Sequence, residues 1–485
     1  MKPSLTFLAC LALCCGHASA AGRPNIIYIL ADDLGYGDLG CYGQQDIRTP
    51  NLDRMAREGM RFTRHYSGAS VCAPSRSSLL TGLHTGHTPI RGNQEVFPEG
   101  QAPLPEGTLT VASLLRGAGY ATGAFGKWGL GFPGSVGSPL RQGFGTFFGY
   151  NCQRLAHSYY PHHLRMGDDL FPLPGNAGKE RGQYAPDLIQ ERTLAFIDEH
   201  RDKPFFLYVA HVAPHAELVA PDDEILRSYR GRFKETPYEG VDEGPEFRTG
   251  GYASAVEPRA TFAAMVTRLD LHVGQILDKL KTLGIDDRTL VLFTSDNGPH
   301  DEGGIKPGDF NSNGRLRGQK RDLYEGGLRV PFIARWPGHI APGSESPLVC
   351  AFWDMLPTMA EVAGTPAPQG IDGISILPTL LGQAGTQRQH ESLYWEFHEQ
   401  GGKQAVLQDR WKAVRLQVGK NPNGPIELYD LAQDPKETRD IAPQHPDKAR
   451  ELAALMDSSR IPSKQFNFQQ GTFSGKKPSK QQPQR

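Results

Sequence analysis

Four short runs of β-branched and apolar residues, each stopping at a polar side chain, constrain this chain more than any other feature. Asn25-Ile26-Ile27-Tyr28-Ile29-Leu30-Ala31 stops at Asp32-Asp33, and Thr289-Leu290-Val291-Leu292-Phe293-Thr294-Ser295 stops at Asp296-Asn297. Phe205 to Ala210 leads to His211 and Pro214-His215, and the weaker Tyr120 to Phe125 leads to Gly126-Lys127. Runs of this length and composition form strands buried on both faces. Between them Phe262, Met265, Val266, Leu269, Val273, Ile276, Leu277 and Leu280 recur at three-and-four spacing, which puts one apolar face on a helix. Buried strands alternating with such helices predict a largely parallel α/β sheet, which binds ligands at the carboxyl ends of its strands. Four strands ending in Asp, Asn, His or Lys therefore point to one shared site.

At 485 residues the chain is too long for a single core, so one large and one small domain are expected. Its net charge of -1 offers no basic face for nucleic acid, so any anionic substrate must be met locally. Met1-Lys2, the apolar run Leu5 to Cys15 and Ala18-Ser19-Ala20 follow the order of a secretory signal peptide, with cleavage expected after Ala20. The run is too short to remain as a membrane span, and no later segment is apolar enough for one. An acylated Cys14 or Cys15 is the rival reading, disfavoured by the bulky Leu13. The protein is thus expected in the periplasm or outside the cell. Cleavage would leave Cys41, Cys72, Cys152 and Cys350, too few for a disulfide framework and enough for one bridge at most if Cys72 is used in chemistry.

From about residue 365 the pattern changes to short alternating segments, such as Ser392 to Phe397 and Trp411 to Leu416. The expected division is a signal peptide over 1–20, a catalytic domain over 22–365 and a small α+β domain over 366–463. A tail rich in Gln, Lys, Ser, Gly and Pro, expected to be disordered, completes it over 464–485.

Cys72-Ala73-Pro74-Ser75-Arg76-Ser77-Ser78-Leu79-Leu80-Thr81-Gly82 resembles the C-x-P-S-R signature of the type I sulfatases. The resemblance covers roughly residues 24 to 440 and reaches the arylsulfatases and N-acetylgalactosamine-6-sulfatases. It implies an alkaline phosphatase-like fold: a large α/β domain with a mixed, mostly parallel sheet flanked by helices, and a small C-terminal α+β domain with an antiparallel sheet. It implies that a formylglycine-generating or sulfatase-maturing enzyme oxidises Cys72 to formylglycine (3-oxoalanine). One hydroxyl of the hydrated aldehyde would attack sulfur and the other would later expel sulfate. A plain thiol has no such internal route of release. Arg76 to Leu83 reads as the start of a helix, whose positive end would favour an anion near residue 72.

Asp32, Asp33, Asp296 and Asn297 carry only hard oxygen donors, which suit Ca²⁺ or Mg²⁺ and not zinc. The resemblance makes them ligands of Ca²⁺ together with the residue 72 hydroxyl; taken alone, Asp32-Asp33 reads equally as a turn or a helix cap. It also assigns Lys127, in Gly126-Lys127-Trp128, and Lys320, in Gly318-Gln319-Lys320, to the sulfate group. His215 it places near the bridging oxygen, as proton donor to the departing alcohol. Many sulfatases follow Gly-Lys-Trp with a histidine that helps release sulfate, and here the residue is Gly129. His157 is the expected substitute and, with Lys127, Lys320 and His215, a fourth contact for substrate. Tyr159, Tyr160, His162, His163, Trp395, Glu396 and His398 are candidate sugar contacts, and a sulfated glycan is the expected substrate. Two rivals stand beside a sulfatase: a phosphate or phosphonate ester hydrolase of the same superfamily, and a non-catalytic sulfoglycan-binding protein if Cys72 is never matured.

Overall fold

The computed structural model of the protein describes residues 22–244 and 246–468, so the expected signal peptide and the tail beyond 468 lie outside the described residues. At its centre is a ten-stranded sheet in which Thr289–Ser295, Asn25–Asp32, Phe205–Pro214 and Ala121–Lys127 lie side by side in that order, all parallel. Thr146–Tyr150 extends the parallel set. Antiparallel pairing flanks the parallel set on both sides, through the hairpin His163–Met166 and Asp169–Pro172 at one edge and through Phe332–Arg335 on the other, beyond which lie Met60–Phe62 and the edge strand Ser344–Ser346. The sheet is therefore mixed and mostly parallel, as expected.

Both faces of the first strand are covered. Ile27, Ile29 and Ala31 pack with one face of the helix Pro258–Thr282, and Ile26, Tyr28 and Leu30 pack with Leu79, Leu80, Leu115 and Leu356 from helices on the other side. Successive strand side chains point to opposite faces, so a run without polar interruption can exist only where both faces are buried.

The second unit is a four-stranded antiparallel sheet of Leu393–Phe397, Lys403–Gln408, Trp411–Leu416 and Ile426–Asp430. One face buries Tyr394, Val406 and Ala413 against Leu452 and Met456 of the helix Pro446–Ser458. The other buries Trp395, Leu407 and Val414 against Tyr66, Leu323 and Trp353 of the large domain. Trp395 is thus core, its indole donating to the carbonyl of Ser67 at 2.9 Å, and it is no sugar contact. Glu396 and His398 are likewise buried, bonded to each other at 3.0 Å. Packing continues past residue 464, where the tail was expected to begin: Phe466 is buried and Phe468 stacks on His398 at 4.5 Å between centroids. Cys41, Cys72, Cys152 and Cys350 are all free thiols, so the one bridge allowed by count is not formed. Among the described residues no helix is long and apolar enough to cross a membrane.

Candidate active site

The four central strands deliver their last residues to one place, as a parallel sheet must. Asp32-Asp33, Asp296-Asn297, His215 and Lys127 meet at the carboxyl ends of adjacent strands, all buried. The backbone accommodates this in two unusual ways. Asp33 sits at φ 64°, a left-handed conformation that Asp tolerates better than most residues. Gly126, at φ 110°, lies so close to the neighbouring strand that a Cβ there would stand 1.9 Å from the carbonyl oxygen of Ala210. Only glycine fits before Lys127.

Cys72 is the first residue of the helix Cys72–Thr81, so the helix begins four residues earlier than the sequence predicts. Pro74 is accommodated in the first turn, where backbone N–H groups have no intrahelical partner. The next two residues tie strand ends together. The Ser75 hydroxyl donates to the carbonyl of Asp296 at 2.6 Å. Arg76 donates twice to the Asp296 carboxylate, at 3.1 and 2.8 Å, and once to the carbonyl of Lys127 at 2.5 Å. The motif therefore fixes residue 72 against two strands by backbone and carboxylate bonds.

Around the thiol, Lys127 Nζ lies 3.4 Å from Cys72 Sγ and 2.6 Å from Asp32 Oδ2, and Sγ lies 3.4 Å from Asp32 Oδ1. Lys320 Nζ donates to Asp33 Oδ2 at 2.8 Å, to Glu302 Oε2 at 2.9 Å and to His215 Nε2 at 3.0 Å. His215 Nδ1 bonds the carbonyl of Ala216. That bond keeps its proton on Nδ1 and leaves Nε2 as the acceptor facing Lys320. His157 stacks on His215 at 5.0 Å and 12°, bonding the carbonyl of Gly250 through Nδ1 at 2.9 Å.

Electrostatics follow from burying this many charges. Burial and the Asp32 carboxylate push the Cys72 thiol well above its usual range, so it stays protonated. Burial works against ionised Asp32, yet Lys127, His215 and Arg76 hold it well below the usual carboxylate range. Asp296 goes the other way, pushed up to about 7 by burial and by Asp32. Burial and Lys320 lower His215 to about 4. Three buried carboxylates that bring hard oxygen donors to one point suit a divalent cation. Asn297 adds a sharper test. Its Nδ2 stands 2.6 Å from Asp33 Oδ1, while its own Oδ1 is buried with no partner. Rotating the amide would set two oxygens face to face, an arrangement that a cation between them makes favourable. The residues present fit Ca²⁺.

Cys72, Lys320, His157 and His215 open onto a cleft of about 350 Å³ whose other walls include Asn93, Gln153 and Tyr252. Gln153 explains Gly129: a Cβ at 129 would meet Gln153 Cγ and Nε2 at 3.3 Å, so the space that a longer side chain would need is taken. Gln153 donates to Asn93 Oδ1 at 3.0 Å, and the same oxygen accepts from the N–H of Ala73 at 3.1 Å. Tyr159 and Tyr160 are buried, and the Tyr159 hydroxyl bonds the carbonyls of Val212 and His215, so it supports the site from behind and contacts no sugar. His162 is exposed, and His163 bonds Glu99 at 2.9 Å. Asn93, Gln153, Tyr252 and Glu302 escape sequence reading because each sits in a loop that belongs to no motif.

Residues 24–365 match the family model described as Sulfatase, and residues 318–460 match that of the N-sulphoglucosamine sulphohydrolase C-terminal domain. Arylsulfatase A of Homo sapiens is 35% identical, the alignment covering 89% of this chain and 85% of that protein. N-acetylgalactosamine-6-O-sulfatase of Bacteroides thetaiotaomicron is 30% identical over 90% of this chain and 93% of its own length. The solved structure of Ps i-CgsB in complex with k-i-k-neocarrahexaose superposes with a TM-score of 0.74 at 26% identity, covering 93% of this chain and 95% of that one. The phosphonate monoester hydrolase of Agrobacterium radiobacter, at 21% identity and a TM-score of 0.63, shares the fold. With residues 24–365 matched by the family model and relatives 30–35% identical aligned over about nine-tenths of its length, this chain belongs to the sulfatase family.

Proposed function

We propose that this protein is an exported sulfuric ester hydrolase acting on glycan sulfates, with residue 72, matured from cysteine to formylglycine, as nucleophile. The observation that carries the reading is the position of Cys72, first in its helix, at the cleft and 3.4 Å from both Lys127 Nζ and Asp32 Oδ1. As a thiol held protonated by burial it is a poor nucleophile, which favours conversion by a maturing enzyme. Formylglycine supplies, as its hydrate, one hydroxyl to attack sulfur and a second whose ionisation releases sulfate. Asp32, Asp33, Asp296 and Asn297 would hold Ca²⁺, with Mg²⁺ as the alternative. Bound there, the ion would acidify the attacking hydroxyl and neutralise a sulfate oxygen.

The chain's own groups do the rest. Lys127 and Lys320 set ammonium groups on two sides of residue 72 and orient the sulfate by charge. Arg76 holds Asp296 and the Lys127 backbone in register, a positioning role. Lys320 and His215 share one proton across 3.0 Å, and the pair passes it to the departing alcohol oxygen as the sulfur–oxygen bond breaks. His157, with Nδ1 committed to Gly250, keeps Nε2 as a neutral acceptor towards the cleft and takes the proton during release. Relatives named for N-acetylgalactosamine 6-sulfate, and a structural relative holding a carrageenan-type hexasaccharide, favour a glycan substrate. Ala18-Ser19-Ala20 favours secretion or the periplasm. Paired kinetics on a sulfate and a phosphate ester of the same alcohol test the assignment. The sulfate should react with the larger kcat/KM, and preference for the phosphate would reverse the reading.

A further inference from the structure

The cleft above residue 72 does not end at its own walls. Arg154 lines it and also lines a second cavity of about 400 Å³, walled by Phe97, Pro98, Phe132, Pro133 and Leu155. Tyr252 lines it and also a third cavity, of about 530 Å³, formed with Tyr238, Arg259, Asp301 and Lys306. Three adjoining hollows, each large enough for a small-molecule ring, have residue 72 at the middle one.

The flanks differ in chemistry. In the second cavity the Phe97 ring is 43% exposed, far more than a core phenylalanine, and the Arg154 guanidinium lies 5.7 Å from its centroid. Glu95 and Glu246 hold Arg154 there at 2.5 and 2.8 Å. An exposed aromatic face edged by fixed charge suits a pyranose, whose axial C–H groups stack on the ring while its hydroxyls reach the polar edge. The third cavity mixes polar and apolar walls, and its Arg259 is matched by Asp309 at 2.6 Å. In the second, His163 and Arg165 match Glu99 at 2.9 and 2.7 Å. The cations of the second cavity are paired, so that flank suits a neutral hydroxyl-bearing ring, whereas in the third only Arg259 is paired and the Lys306 ammonium is left for a polar or anionic group of the sugar.

We propose that the substrate is an oligosaccharide carrying the reacting sulfate on an internal sugar, with neighbouring sugars seated on Phe97 and Phe132 at one side and beside Tyr238 at the other. The proposal rests on the sulfatase reading and deepens it. Matured enzyme should be offered p-nitrophenyl sulfate and size-graded sulfated mono-, tetra- and hexasaccharides from galactan, chondroitin and fucan, with each product's remaining sulfates located by mass spectrometry. In at least one glycan series kcat/KM should rise about tenfold or more from monosaccharide to hexasaccharide, with the first sulfate lost from an internal ring. Phe97→Ala and Tyr238→Ala should each lower the ratio of hexasaccharide to p-nitrophenyl sulfate kcat/KM by about tenfold. Equal kcat/KM across sizes, loss only of terminal sulfate, or unchanged ratios would overturn it. Release from p-nitrophenyl sulfate but from no glycan would overturn it and leave the enzyme a sulfatase. No release from any ester, with residue 72 shown to be aldehyde, would overturn the sulfatase reading itself.

Discussion

Gly129 shows how one residue alters a site. It sits at φ 77° with Gln153 packed where a side chain would go. Restoring the histidine common at this position would strain the backbone and displace Gln153. Gly129→His is therefore expected to lower stability by about 1–3 kcal/mol without raising turnover, readable by denaturant titration and steady-state kinetics. His157 carries the opposite expectation. His157→Ala should lower kcat by about a hundredfold and leave KM little changed, since the lost group acts in release and not in binding. Full turnover in that variant would return His157 to a packing role against His215. The departure at Gly129 is readable in the sequence, but its cause is not, because Gln153 approaches through space and belongs to no shared motif.

At the scale of elements, the ends of four adjacent strands gather three carboxylates. Without a cation, the folded protein holds Asp296 up to about 7, against about 3.8 for a free aspartate. A carboxyl whose folded pKa is raised binds its proton more tightly in the folded state. Stability should therefore fall as pH rises from about 4 to about 7, and stay low above that. Bound Ca²⁺ favours the ionised form and removes the penalty. The Tm difference between Ca²⁺-loaded and chelator-treated protein should thus grow between pH 5 and pH 7.5, and a difference independent of pH would contradict this origin. These strands were legible because both faces are buried: Thr289–Ser295 ends where its apolar run ends, and Asn25–Asp32 and Ala121–Lys127 run only one or two residues past theirs. The antiparallel strand Phe332–Arg335 was not, being four residues long with no alternation to read. The helix start at Cys72 was missed because Pro74 looks like a breaker, although the first turn tolerates it.

Over the whole molecule, the small domain is joined through charge as well as packing. Lys412 is fully buried and pairs with Glu325 at 2.9 Å and Glu437 at 3.0 Å, and the Tyr66 hydroxyl donates to Glu325 at 3.0 Å. Lys412→Met leaves Glu437 without its cation and Glu325 with only Arg329, at 3.6 Å, so a loss of about 3–5 kcal/mol is expected in chemical denaturation. An unchanged midpoint would show that the two units are held without help from this ion pair. The small domain's strands could be read from their alternation, but which face met the large domain could not, and so Trp395 looked like a sugar contact when it is the seam. All of this serves to hold residue 72 between Lys127, the carboxylates and the Lys320–His215 pair. The most direct test is the mass of the peptide containing residue 72, from protein made in a maturing host, set against sulfate release by the same preparations. Turnover should rise in proportion to the fraction carrying the aldehyde or its hydrate; equal turnover from protein in which residue 72 is wholly thiol would contradict the account.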